Sequence, residues 1–145
     1  GKKMSKSKGN IIYLEDLINK GYSPRDIRFY LLSRQYRERL NLTDNSLHAV
    51  VQKRRRLTAA VKELTRQKGY SRRSACKEPG LIDDLTAAFE NNMNNDLNIP
   101  RVFNHLLNNA EQLCSRKNKG MLGISDRKRI VNAIESIDSV LQCVR

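Results

Sequence analysis

The residues best suited to chemistry stand at the start of the 145-residue chain: Lys3-Met4-Ser5-Lys6-Ser7, followed by Gly9-Asn10. Two lysines flank a small hydroxyl residue, and two serines and a glycine keep the backbone mobile. When a phosphoanhydride breaks, negative charge migrates onto the bridging and departing oxygens. Ammonium groups on flexible stems can follow that charge and neutralise it. Small hydroxyls and backbone N–H groups add donors, and a mobile loop can close on the transition state and reopen to release product. The pattern reads as chemistry for a polyphosphate, not for a hydrophobic core. A basic, serine-rich surface linker would share the composition.

A second concentration of charge lies further on. The chain carries 28 Lys and Arg against 15 Asp and Glu, a net charge of +13, and such a surface attracts polyanions. Lys53, Arg54, Arg55, Arg56, Lys62, Arg66, Lys68, Arg72, Arg73 and Lys77 crowd one helix and its following loop, opposed there only by Glu63. RNA phosphates are the natural partner, contacted through shape and backbone. Lys53, Arg55, Arg56, Arg72 and Arg73 are the candidate contacts, since Arg54–Arg56 span too wide an arc for all three to face one ligand. A solvated basic face with no partner is the alternative. No helix combines a basic face with aromatic anchors, and no apolar run approaches the ~20 residues of a membrane span.

The cysteines, Cys76, Cys114 and Cys143, are far apart, and neither His48 nor His105 is paired with one. No metal site is expected within the chain. Cys114 and Cys143 fall on apolar helix faces as small hydrophobes, in keeping with a reducing, cytoplasmic setting. The start, Gly1-Lys2-Lys3, lacks an initiator Met, so the chain reads as cut from a longer protein.

Helical periodicity organises the rest. Residues 1–12 have no usable period and read as a loop. A short helix is expected at 14–20, with Leu14, Leu17 and Ile18 on one face and Gly21 as its stop. Ser23 as N-cap, Pro24 at the first position and Asp26 at the third start another helix, with Ile27, Tyr30 and Leu31 sharing a face. Thr43 or Asp44 caps a long helix to about Gln67, whose apolar stripe Arg54 interrupts. Residues 69–80 read as a loop and Leu81–Met93 as a helix. A further helix begins near Asn98 and Pro100 and ends before a turn at 117–123. Ser125 caps the last helix, where Ile130, Ile134, Ile137, Leu141 and Val144 are spaced 4, 3, 4 and 3. The fold class is all-α, a bundle of about four longer helices behind a short loop-helix segment. The expected division is residues 1–42, loop and connecting segment, and residues 43–145, bundle. Arg28, Arg34 and Arg37 read either as nucleic-acid contacts or as ion pairs fixing the segment after the loop. Tyr30 and Tyr36 read either as aromatics that stack on bases or, as single aromatics on helices usually do, as core, and Asp96 and Asn98 read as helix caps.

Lys3–Ser7 spells KMSKS, a signature of class I aminoacyl-tRNA synthetases. The chain resembles the cysteinyl-tRNA synthetases along nearly its whole length. Gly1–Asn10 matches that family's loop, and Leu14-Glu15-Asp16-Leu17, Gly21-Tyr22-Ser23-Pro24 and Arg28–Ser33 are similar to the segment that follows it. Tyr36-Arg37, Leu40-Asn41-Leu42-Thr43 and Asn95-Asp96-Leu97-Asn98-Ile99-Pro100 resemble further family motifs. Gln35 stands where the family usually has His, and Glu38-Arg39 where a Ser-Pro-like pair is usual. The resemblance implies ATP-dependent activation of cysteine and its transfer to tRNA(Cys). It implies Lys6 as the catalytic residue, with Lys3, Ser5, Lys6 and Ser7 on the ATP phosphates and the basic bundle facing tRNA. It also implies a nucleotide-binding domain and zinc ligands before residue 1, an anticodon-reading domain after residue 145, a monomeric enzyme and no activity from these residues alone. Two other readings share parts of the pattern. One is a related ligase that joins cysteine to an amino-sugar through the same adenylate. The other is a non-catalytic RNA-binding helical module.

Overall fold

The computed structural model describes residues 4–71 and 80–145. The loop carries a 3-10 turn at Lys6–Lys8. It leads to a short helix α1 (Leu14–Asn19) and a second, α2 (Pro24–Leu32). Four longer helices follow: α3 (Asp44–Thr65), α4 (Gly80–Asn94), α5 (Ile99–Asn118) and α6 (Ile124–Leu141). No sheet forms among the described residues, and the all-α expectation holds. One isolated parallel bridge pairs Ser71 with Gly123. Arg72, Arg73 and Cys76 lie outside the described residues, as does Lys3.

The four long helices pack in the cyclic order α3, α5, α4, α6, with α2 laid against α3. Their apolar stripes meet in one core. Leu57, Val61 and Leu64 of α3 face Leu106, Ala110 and Leu113 of α5, and Ile130, Ile134 and Ile137 close it from α6. Each such buried Leu, Ile or Val side chain contributes about 1.5–3 kcal/mol relative to exposure. A second, smaller cluster joins Leu17, Ile27 and Tyr30 to Leu47 and Val51. Phe29, absent from the expected apolar face of α2, is fully buried in the main core and stacks on Phe103 of α5 with ring centroids 4.0 Å apart. The connecting segment is thus packed into the bundle through both clusters.

The start of α2 forms as its sequence dictates. The Ser23 hydroxyl accepts from the Asp26 N–H, and the Asp26 carboxylate accepts from the Ser23 N–H at 3.0 Å. Such a capping box satisfies donors that a helix start leaves open. Thr43 caps α3 and Asn98 caps α5.

Several expectations need correction. Leu14, Ile18 and Leu31 are exposed, because α1 has fewer than two turns and α2 buries Phe29 and Tyr30 instead. Helix α3 ends at Thr65, two residues early. Ser125 is not the cap of α6. The helix starts at Ile124, and the Asp126 carboxylate accepts from the Gly123 N–H at 2.8 Å. Cys143 is buried, as expected, but lies beyond the end of α6. Lys117 is not a turn residue. It belongs to α5, and its side chain is 1% exposed.

Candidate phosphate loop and basic face

The loop is shaped by short-range bonds. The Ser5 N–H donates to Asn10 Oδ1 at 2.8 Å, and the Ser5 and Ser7 hydroxyls share a hydrogen bond at 2.7 Å. The Lys8 and Gly9 N–H groups donate back to the Ser5 and Lys6 carbonyls. Gly9 closes the turn at φ 59°, a left-handed conformation that costs glycine nothing. These bonds leave the Lys6 side chain exposed and with no protein partner among the described residues. The structure brings Ser5, Lys6 and Ser7 together on one turn.

The arginines after the loop have protein partners. Arg28 Nε donates to the Leu141 carbonyl at 2.6 Å, where cations suit the negative end of α6. Arg34 pairs with Glu38 at 3.8 Å. Asp96 is not a helix cap. Its carboxylate accepts from Gln35 Nε2 and the Tyr36 hydroxyl, each at 2.8 Å, and from Arg37 Nη2 at 3.2 Å. The Tyr36 and Gln35 bonds hold the Asp96 carboxyl below its usual range, with Arg37 adding to them. Asp96 and Leu97 both adopt φ 52°, an uncommon conformation for residues with side chains. Residues 35–37 and the turn between α4 and α5 are therefore clamped together. Tyr36 stays exposed, contrary to a core reading, whereas Tyr30 is buried and its hydroxyl is 3.0 Å from the Asn41 carbonyl.

The basic stretch divides by environment. Arg54 points inward, and its Nε donates to Asp26 Oδ1 at 2.6 Å, with side-chain exposures of 13% and 5%. Burial would raise the Asp26 pKa, but the Ser23 hydroxyl and Arg54 overcome it and hold the carboxyl below its usual range. Lys53 is half-buried, which lowers its pKa, and it donates to Asn104. Arg56 pairs with Glu111 at 2.7 Å. Arg55 is exposed with no partner among the described residues. Lys53, Arg55 and Arg56 thus lie on the α3 surface, two of them engaged with α5. No cluster of three or more metal-ligating side chains occurs among the described residues, and no helix there is long and apolar enough to cross a membrane.

Residues 1–52 match the family model described as the catalytic domain of class I tRNA synthetases (C). The chain is 31% identical over 144 residues to a cysteine–tRNA ligase of Chlamydia pneumoniae, covering 97% of this chain and 30% of that protein. It is 28% identical over 147 residues to the Brachyspira hyodysenteriae cysteine–tRNA ligase, covering 99% of this chain and 30% of the relative. Cysteine–tRNA ligase 1 of Tropheryma whipplei is 32% identical over 113 residues, covering 78% of this chain and 23% of the relative. The chain belongs to the cysteine–tRNA ligase family. It spans about 30% of the length of the first of these ligases.

Two side-chain networks of this ligase-family chain lie outside the sequence-based expectations. The Asp96 clamp joins two family-like motifs some 60 residues apart, and nothing local predicts that they meet. Lys117 was legible in principle, because it continues the stripe Leu106, Ala110 and Leu113. Its Nζ donates to the Glu63 carbonyl, to Glu63 Oε1 at 2.9 Å and to the Arg66 carbonyl at 3.3 Å. It also lies 4.8 Å from the Tyr70 ring centroid. A buried ammonium here ties down the carbonyls at the end of α3.

Proposed function

We propose that these residues form part of an enzyme that activates cysteine with ATP and transfers it to tRNA(Cys). In this reading Lys6 acts on the transition state, with Lys3, Ser5 and Ser7 on the ATP phosphates. Residues 1–42 present the loop and connecting segment, and residues 43–145 form a tRNA-facing bundle. Lys53, Arg55, Arg56, Arg72 and Arg73 supply phosphate contacts. The zinc that the family resemblance implies belongs to an upstream domain. The enzyme works in the cytoplasm as a monomer, and these residues alone do not catalyse. The observation that carries the reading is the Lys6 ammonium, exposed beside two mutually bonded hydroxyls and with no protein partner among the described residues. An ammonium so placed suits charge that develops only as pyrophosphate departs.

The test is cysteine-dependent ATP–pyrophosphate exchange, then tRNA charging, in the full-length protein and its Lys6→Ala variant. Exchange and charging that both fall about 10²–10³-fold in the variant support the reading. Exchange without charging would point to the amino-sugar ligase. An absence of exchange would leave the RNA-binding module.

A further inference from the structure

The charge of the bundle is segregated by face. Helix α4 carries Asp83, Asp84 and Glu90 and no basic residue, and α6 balances its acids and bases. The excess positive charge of the bundle helices sits on α3 and α5. These two helices run parallel, since Lys53 meets Asn104, Arg56 meets Glu111, and the Cys114 thiol reaches the Ala60 carbonyl at 3.5 Å. Between them runs an open groove with Ala59 and Ala60 on one wall and Ser115, Asn118 and Lys119 on the other. Small residues on the α3 wall keep the groove open, so its polar rim stays accessible.

We infer that the α3/α5 groove is an RNA-backbone site in which Ser115 and Asn118 of α5 and Lys119 just past its end join Arg56 of α3, with the exposed Arg55 one turn before Ala59 extending the basic track. This deepens the tRNA-facing role proposed above and rests on it. Lysine, arginine, serine and asparagine are the side chains that contact phosphate and sugar. Among the described residues no aromatic side chain lines the groove, so it offers no stacking platform there and the contact is insensitive to sequence. Arg55 is exposed and unpaired among the described residues one helical turn before Ala59, and Lys119 is exposed on the opposite wall further along the groove. Glu111 is the opposing charge. It neutralises Arg56 in the free protein, and a phosphate would have to displace it.

The experiment is a salt titration of binding between the 145-residue chain and an unmodified tRNA(Cys) transcript. Arg55→Gln with Lys119→Gln should reduce the slope of log affinity against log salt by about 2, one per phosphate contact. Glu111→Gln should strengthen binding and steepen the slope by about 1, because Arg56 is released. Lys128→Gln, exposed on α6 at the other side of the bundle, should leave the slope unchanged. An unchanged slope in the groove variant, or an equal loss from Lys128→Gln, overturns the site. So does weaker binding by Glu111→Gln. Polyglutamate of matched charge binding as tightly and with the same variant sensitivity would replace RNA by an acidic protein segment. This readout needs no catalysis. Lost exchange in the full-length enzyme overturns the ligase reading, whereas an unchanged salt slope overturns the groove alone.

Discussion

The loop that carries Lys6 and the helix end that Lys117 grips use the same side chain in opposite ways. Around Lys6 the bonds run over a few residues of chain, and the ammonium is left out of them. Around Lys117 the partners come from more than 50 residues away and fill the donor positions of the ammonium. A lysine kept for a ligand must be accessible and unspent. A lysine kept for the fold must be desolvated and fully bonded, because a buried unsatisfied charge is costly. The difference lies in partners and not in residue type.

That contrast can be broken from the buried side first. Arg54→Leu removes the partner of the enclosed Asp26 carboxylate and should destabilise the chain by about 3–5 kcal/mol, read from urea unfolding. If the loss is below about 1 kcal/mol, Arg54 is not a structural cation. Lys6→Ala in the full-length enzyme should cost about 10²–10³ in exchange rate with no change in melting temperature. A shifted melting temperature would mean that Lys6 supports the fold after all. Lys117→Met keeps the stem and strands the carbonyls at the end of α3, for an expected loss of about 1–3 kcal/mol.

The same contrast has a pH signature. Asp26 is held below its ordinary value of 3.8, so its contribution to stability is complete well above that pH. It is lost as pH falls below 3.8 toward the folded-state value. The urea midpoint should therefore fall across that acid range, and Asp26→Asn should flatten the fall while lowering stability at neutral pH. The smallest effect is expected at Asp96→Ala. Its partners are exposed and solvent screens them, so the global loss should be small. Faster amide exchange confined to residues 35–37 would sharpen the picture of a local clamp, whereas unaltered exchange there would remove it.

Much of the fold was legible because period and caps agree. Ser23, Pro24 and Asp26 start α2 as their types require, and the spacing of Ile130, Ile134 and Ile137 marks the buried face of α6. Arg54 announced itself by interrupting an apolar stripe. Lys117 interrupts one too, but the turn residues directly after it mask its place in the helix. Phe29 was missed because α2 is too short for its period to show that it packs on two sides. At the candidate site, local sequence sufficed for the loop, whose bonds are local. It could not yield the Asp96 clamp or the α3/α5 groove, which exist only where distant residues are brought side by side.

The Arg28 bond to the Leu141 carbonyl joins residues 113 positions apart, and its consequence concerns the order of assembly. A contact so distant along the chain must wait until α6 has formed and docked, since closing that loop costs entropy before anything is gained. The contact of α2 with the end of α6 should therefore settle last and leave first. Substitutions at Arg28 or Phe29 should speed unfolding and barely alter the folding rate.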